Sequence, residues 1–202
     1  MQAIVDAVET GELNITIGAV VSDKSDAGVL DRARASNIPT IVIDPKAYAD
    51  ASIDAYSGAS VYASELVLKL EKCGINFVAL AGYLRIIPPE LVARFNGRML
   101  NIHPSLLPSF GGKGFYGRRV HVAVLEHGVQ WTGATVHLVD AEYDTGPIVL
   151  QKPVRVEPDD TPESLAARVL KTEHELYPAA LKMFAAGRVR INGRRVWFEI
   201  EE

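Results

Sequence analysis

Apolar residues along this chain follow two periods that alternate from its beginning. Ile4, Val5 and Val8 keep helical spacing over residues 1 to 10, and Gly11 supplies a stop. ITIGAVVS (15 to 22) is a short β-branched run suited to a buried strand. AGVLDRARASNIP (27 to 39) predicts a helix closed before Pro39, and TIVID (40 to 44) the next strand. A polar stretch over 45 to 59 leads to an amphipathic helix over 60 to 73, with Leu66 and Leu70 inward, then to the strand NFVALAG (76 to 82). The pattern then predicts a short helix at 88 to 96 opened by Pro88 and Pro89, a strand at 98 to 102, a helix at 118 to 128, and strands at 134 to 140 and 148 to 156.

Strands separated by helices of this length predict βαβ units, hence an α/β fold with a mostly parallel sheet flanked by helices. DDTPESLAARVLKTEHELYPAALKMFAAG predicts a long closing helix with Thr161 as N-cap, Pro162 at its first position and Gly187 as the stop; Pro178 should kink or split it. In VRINGRRVWF, Asn192-Gly193 between two apolar runs predicts a hairpin. The expected organisation is one main domain over 1–187 and a C-terminal hairpin extension over 188–202.

Composition then removes several function classes. With 21 basic against 25 acidic residues, a net charge of −4 and no basic cluster, nucleic acid is not an expected partner. The single Cys73 excludes an internal disulfide framework and any multi-cysteine metal site, which fits a reducing, cytoplasmic compartment. No apolar run approaches the roughly 20 residues that span a bilayer. The opening MQAIVDAVETGEL carries acids where a signal peptide has a basic flank, so no membrane partner is expected.

Candidate chemistry gathers around NIHPSLLPSFGGKGFYG (101 to 117). His103 ends a predicted strand and precedes Pro104, which places it at the carboxyl edge of the sheet, where open α/β folds bind ligands. Asn101, two residues earlier, shares its side of the strand, and the pair could cradle an oxygen that becomes negative in a transition state. Asp144 lies in the turn DAEYDTGP beside Asp140 and Glu142, and the stiff Thr-Gly-Pro after it would fix its carboxylate within reach of His103. A carboxylate beside an imidazole favours the protonated ring.

Glu173 falls on the apolar face of its helix, either half exposed or binding a polar ligand such as a sugar hydroxyl. His121, His127, His137 and His174 show no metal-ligand spacing and read as surface or core residues. GGKGF (111 to 115) lacks the order of a phosphate-binding loop and reads as a lid over a ligand.

AGYLRIIPPELVARFNGRMLNIHPSLLPSFGGKGFYG, followed by TGATVHLVDAEYDTGPIVLQ and TEHELYP, resembles the phosphoribosylglycinamide formyltransferase family, folate-dependent enzymes of purine synthesis. The resemblance runs from residue 1 to about 187. It implies the Rossmann-like formyltransferase fold, with 10-formyltetrahydrofolate as co-substrate, glycinamide ribonucleotide as acceptor and no metal. Asn101, His103 and Asp144 then match the catalytic Asn, His and Asp. Arg85, Ile86 and Ile87 match the segment that holds the pterin, and Asp140, Glu142 and Asp144 its other wall. Glu173 matches the residue that binds the ribose hydroxyls. A homodimer is left open.

Methionyl-tRNA formyltransferases and formyltetrahydrofolate hydrolases share the Asn/His/Asp core but carry an added domain for which this chain has no room. The family also begins with a strand and a glycine-rich phosphate loop. MQAIVDAVETGEL matches the family's segment directly after that loop, so the expectation is a native protein longer by about fifteen to twenty residues. A chain that truly starts at Met1 would instead be expected to bind folate without turnover.

Overall fold

The helical spacing at the amino end forms α1 (Gln2–Glu9), which buries Ile4, Val5 and Ala7 and ends before Gly11 at φ +75°. The computed structural model describes residues 1–48 and 55–199. After α1 come β1 (Val20–Ser22), α2 (Gly28–Ala35), β2 (Thr40–Val42), a 3-10 turn at Pro45–Tyr48, α3 (Ala55–Lys72) and β3 (Val78–Leu80). The centre of the polar stretch 45 to 59 lies outside the described residues. Then follow α4 (Pro89–Arg94), β4 (Met99–His103), α5 (Arg118–Glu126), β5 (Trp131–Leu138), β6 (Ile148–Arg155) and α6 (Pro162–Ala185). The strand expected at 15 to 22 is trimmed to β1, because ladder pairing with β2 covers only Val20↔Thr40 to Ser22↔Val42.

The sheet is divided. β1 and β2 pair in parallel by themselves, while the other sheet runs β3-β4-β5-β6. Among the described residues no ladder joins β1 to β3. The chain leading into them nonetheless touches, since a Cβ on Gly18 would stand 2.5 Å from Ile75 Cδ1. Parallel pairing holds for β1–β2 and β3–β4, whereas β4–β5 and β5–β6 are antiparallel. The carboxyl ends of β3 and β4 therefore lie at one edge of the sheet.

α6 closes one face. Its Thr161 cap accepts from Ser164 N–H while Ser164 Oγ accepts from Thr161 N–H, a reciprocal capping box, and Gly187 at φ +68° follows the last turn. The expected split at Pro178 does not occur, and the helix runs 24 residues through it. An interior proline costs about 3 kcal/mol. Around it Leu176, Tyr177, Ala180 and Leu181 are all buried, and each fully buried large side chain returns roughly 1.5–3 kcal/mol. The Tyr177 hydroxyl also donates to the Leu80 and Leu100 carbonyls, at 2.8 and 3.0 Å, tying α6 to β3 and β4.

After α6, β7 (Val189–Asn192) and β8 (Arg195–Phe198) form the expected hairpin, but Asn192 pairs with Arg195. The turn is therefore Gly193-Arg194, one residue beyond the Asn-Gly signal. Gly193 takes φ +58° while Arg194 stays in the ordinary region, the pattern of a type II′ turn rather than I′.

Candidate active site

Pairing of β4 with β5 sets a small polar grid: Asn101 lies opposite His137 and His103 opposite Thr135. Strand alternation gives Leu100 and Val136 to the other face, where they join Leu176 and Tyr177 in the main core cluster. Four polar side chains thus share the sheet face that the cluster around Tyr177 does not occupy.

His137 orients Asn101. Its Nδ1 lies 2.8 Å from the Leu138 carbonyl, which requires the proton on Nδ1 and leaves Nε2 as an acceptor. Asn101 Nδ2, 3.2 Å away, donates to that Nε2 and keeps its second N–H free. His103 Nε2 lies 2.8 Å from the Phe110 carbonyl and therefore carries a proton, so the other nitrogen, Nδ1, faces Asp144 Oδ2 at 3.5 Å. Asp144 Oδ1 stands 3.6 Å from His137 Nε2.

Asp144 takes the left-handed conformation, φ +57°, a strained setting for a residue with a side chain. Gly112 N–H donates to Asp144 Oδ2 at 2.9 Å. Gly111 packs so closely that an added Cβ would collide with Leu107 Cδ2 and meet Asp144 Cβ at 3.4 Å. Gly111 and Gly112, the start of the expected lid, are thus packed on the carboxylate.

Burial and charge compete here. For Asp144, burial pushes the carboxyl pKa up, but the His137 and His103 rings, when protonated, and the Gly112 amide together hold it below the ordinary value. For His103, burial lowers the pKa, and the Asp144 carboxylate and Phe110 carbonyl do not fully offset it. His121, buried on α5, is also lowered, by burial and by its neighbour His103. Burial thus outweighs, in this balance, the carboxylate that was expected to favour the protonated ring.

The loop between His103 and α5 is pinned from beneath. Thr135 Oγ1 donates to Ser105 O at 2.6 Å and accepts from Leu107 N–H at 3.1 Å and from Gln151 Nε2 at 3.0 Å. Gln151 also donates to Leu107 O at 2.9 Å, and Ser105 Oγ to Ser109 O at 2.6 Å. This buried set fixes residues 105 to 109 and with them the Phe110 carbonyl that holds His103.

Residues 1–181 match the family model described as formyl transferase. The chain belongs to the formyl transferase family. It is 36% identical over 199 residues to the phosphoribosylglycinamide formyltransferase of Escherichia coli (strain K12), covering 98% of this chain and 88% of that protein. It is 49% identical over 180 residues to the chloroplastic phosphoribosylglycinamide formyltransferase of Arabidopsis thaliana, covering 89% of this chain but only 59% of that longer protein. Among solved structures, glycinamide ribonucleotide transformylase 1 from Symbiobacterium toebii superposes with a TM-score of 0.87 at 40% identity, over 98% of this chain and 87% of that one.

The other expected family positions fall in three places. Arg85, Ile86 and Ile87 come after β3 at the same carboxyl edge: Ile87 is buried, Ile86 exposed, and Arg85 pairs with Asp23 at 3.1 Å. In the turn, Asp140 Oδ1 accepts from Glu142 N–H at 3.2 Å and from Thr145 Oγ1 at 2.7 Å, while Glu142 stays exposed. Glu173 stands apart from the triad on α6, half-buried, its pKa raised to about 7 by burial and opposed by the Met1 amine.

The sequence reading missed His137, which it placed with the surface or core, as well as the Gly112 amide and the Thr135–Gln151 set. A usable signal for His137 was present: Thr135 and His137 are polar at i and i+2 within an otherwise apolar ATVHLV. Two imidazoles flank Asp144 but face different carboxylate oxygens. Among the described residues no group of three or more His, Cys, Asp or Glu could hold a metal ion, and no helix is long and apolar enough to cross a membrane.

Proposed function

We propose that the chain transfers the formyl group of 10-formyltetrahydrofolate to the amino group of glycinamide ribonucleotide. The observation that carries this is His103 Nδ1 facing Asp144 Oδ2 at 3.5 Å, next to the free amide N–H of Asn101. The amino nitrogen attacks the formyl carbon, and the carbonyl electron pair moves to its oxygen. The proton released by the attacking amine passes to His103 Nδ1, directly or through water. The imidazolium therefore forms as the oxyanion does, with Asp144 balancing its charge. Asn101 donates its second N–H to the oxyanion. On collapse the bond between formyl carbon and N10 breaks, and the proton moves on to N10.

Arg85, Ile86 and Ile87, with the turn from Asp140 to Asp144, form the folate side of this site in our reading, and Glu173 receives the ribose hydroxyls. The single exposed Cys73 suits a reducing compartment, and the cytoplasm is our assignment.

The test is a formyl-transfer assay with both substrates, run beside the folate alone. The expected result is tetrahydrofolate release that depends on the nucleotide and matches formylated product mole for mole. Release at the same rate without the nucleotide would mean hydrolysis instead, and folate binding with no release would mean a binding protein.

A further inference from the structure

The hairpin after α6 reaches the loop that carries Asp144. Arg194, at the second position of its turn, donates from Nη2 to the Thr145 carbonyl at 2.8 Å, across 49 residues of sequence. Thr145 is the residue next to Asp144 and is also held from within its loop by the bond from its hydroxyl to Asp140 Oδ1 at 2.7 Å. One residue further, Gly146 presses against β5, where an added Cβ would collide with the Leu138 carbonyl. The backbone just after Asp144 is thereby caught between β5 on one side and the hairpin tip on the other.

The hairpin is mounted firmly enough to act as a support. Val196 and Phe198 pack against the main core cluster, and Ile191 Cδ1 lies 3.7 Å from where a Cβ on Gly97 would stand. Glu199 N–H donates to Arg188 O at 2.9 Å, and Arg190 joins Glu199 at 2.7 Å and the Gly187 carbonyl at 3.1 Å. The one-residue displacement of the turn matters here, because it moves Arg194 from a ladder position to the tip. A left-handed Asp144 persists only where its surroundings hold it, and the Thr145 carbonyl is one of the holds.

We infer that the C-terminal hairpin belongs to the reaction site: Arg194 is a positioning residue that, by gripping the Thr145 carbonyl, keeps the Asp144 carboxylate facing His103. This rests on the formyl-transfer reading for its consequence in turnover, and on geometry alone for its consequence at His103. The charged and titratable groups around His103 are Asp144 from the turn, His137 from β5 and His121 from α5. Asp144 is the one among them that raises the His103 pKa, so losing the grip should lower it.

The experiment compares the full chain with Arg194→Ala and Arg194→Lys. It measures turnover, Michaelis constants, melting temperature and the His103 titration midpoint, the last by NMR of isotope-labelled histidine. In Arg194→Ala the His103 midpoint should fall by about half a pH unit and turnover by about 3- to 10-fold, with the folate Michaelis constant within about twofold. Melting should move by no more than about 2 °C, and Arg194→Lys should restore most of both losses. An unmoved midpoint overturns the inference even if turnover falls, because the loss would not then run through Asp144. If the unaltered chain transfers no formyl group while the midpoint still shifts in Arg194→Ala, the formyl-transfer reading fails and the grip stands.

Discussion

Two halves of the sheet hold what they carry in different ways. β5 is buried at seven of its eight positions and paired on both sides, and its Thr135 and His137 side chains find partners at 2.6 to 3.2 Å in the loop after β4 or in β4 itself. β1, β2 and β3 are three residues each, and each carries an exposed position. Val21 in β1 is 36% exposed and Val42 in β2 43%, although strands of parallel sheets are normally covered on both faces. The candidate catalytic side chains therefore stand on the antiparallel half or in the turn within it. The parallel half contributes edges and loops with more exposed positions.

The strongest way to probe that difference is to remove the central charge of the firm half. Asp144→Asn keeps the shape but loses the carboxylate that accepts from Gly112 and faces both imidazoles. Turnover should fall by about 10²–10⁴-fold, while the folate Michaelis constant changes far less, because the lost interaction matters mainly in the transition state. Steady-state kinetics decide this, and near-normal turnover would remove Asp144 from the mechanism.

Much of this was readable beforehand, and the remainder was hidden for physical reasons. Asn101, His103 and Asp144 stand out because the chain spends polar residues at a strand end and in a stiff turn, where propensity alone does not ask for them. The ends of α6 were legible because caps are local chemistry: Thr161, Pro162 and Gly187 each act within a few residues. His137 was missed because its meaning depends on pairing, and only the register Asn101↔His137 brings a buried histidine onto the Asn101 amide. The antiparallel turn from β4 to β5 was hidden for the same reason, since a strand, a helix and a strand in sequence do not fix direction. Gly112 acts through a backbone N–H and Phe110 through a carbonyl, neither of which leaves a side-chain signature. Arg194 depends on a one-residue choice of turn.

The next test sets one buried hydroxyl against one exposed methyl. Thr135→Val preserves size but strands the Leu107 N–H and the Ser105 carbonyl, each worth about 1–3 kcal/mol when buried and unpaired. A loss of about 2–4 kcal/mol in urea unfolding is expected, with a drop in turnover as Phe110 releases His103. Val21→Thr, a similar exchange run in reverse on β1, should stay within about 0.5 kcal/mol. Equal losses at the two sites would erase the distinction between the halves.

Glu173 lies on α6 near the Met1 amine that precedes α1, and its effect is smaller because it depends on pH. Its carboxyl titrates near 7 in the fold against 4.5 in the unfolded chain. The folded state therefore binds the proton more tightly, and stability is lost as pH rises from 4.5 through 7, not as it falls. The full loss is up to roughly 3 kcal/mol. Glu173→Gln removes the titration, so the variant should match the parent near pH 4.5, to within about 1 kcal/mol, and exceed it by up to roughly 3 kcal/mol near pH 8. Urea midpoints at the two pH values read this directly, and a gap that does not widen would mean that Glu173 is ionised in the fold at little cost. If the gap widens while the nucleotide Michaelis constant rises in the same variant, the carboxylate is kept at a cost in stability because the site uses it.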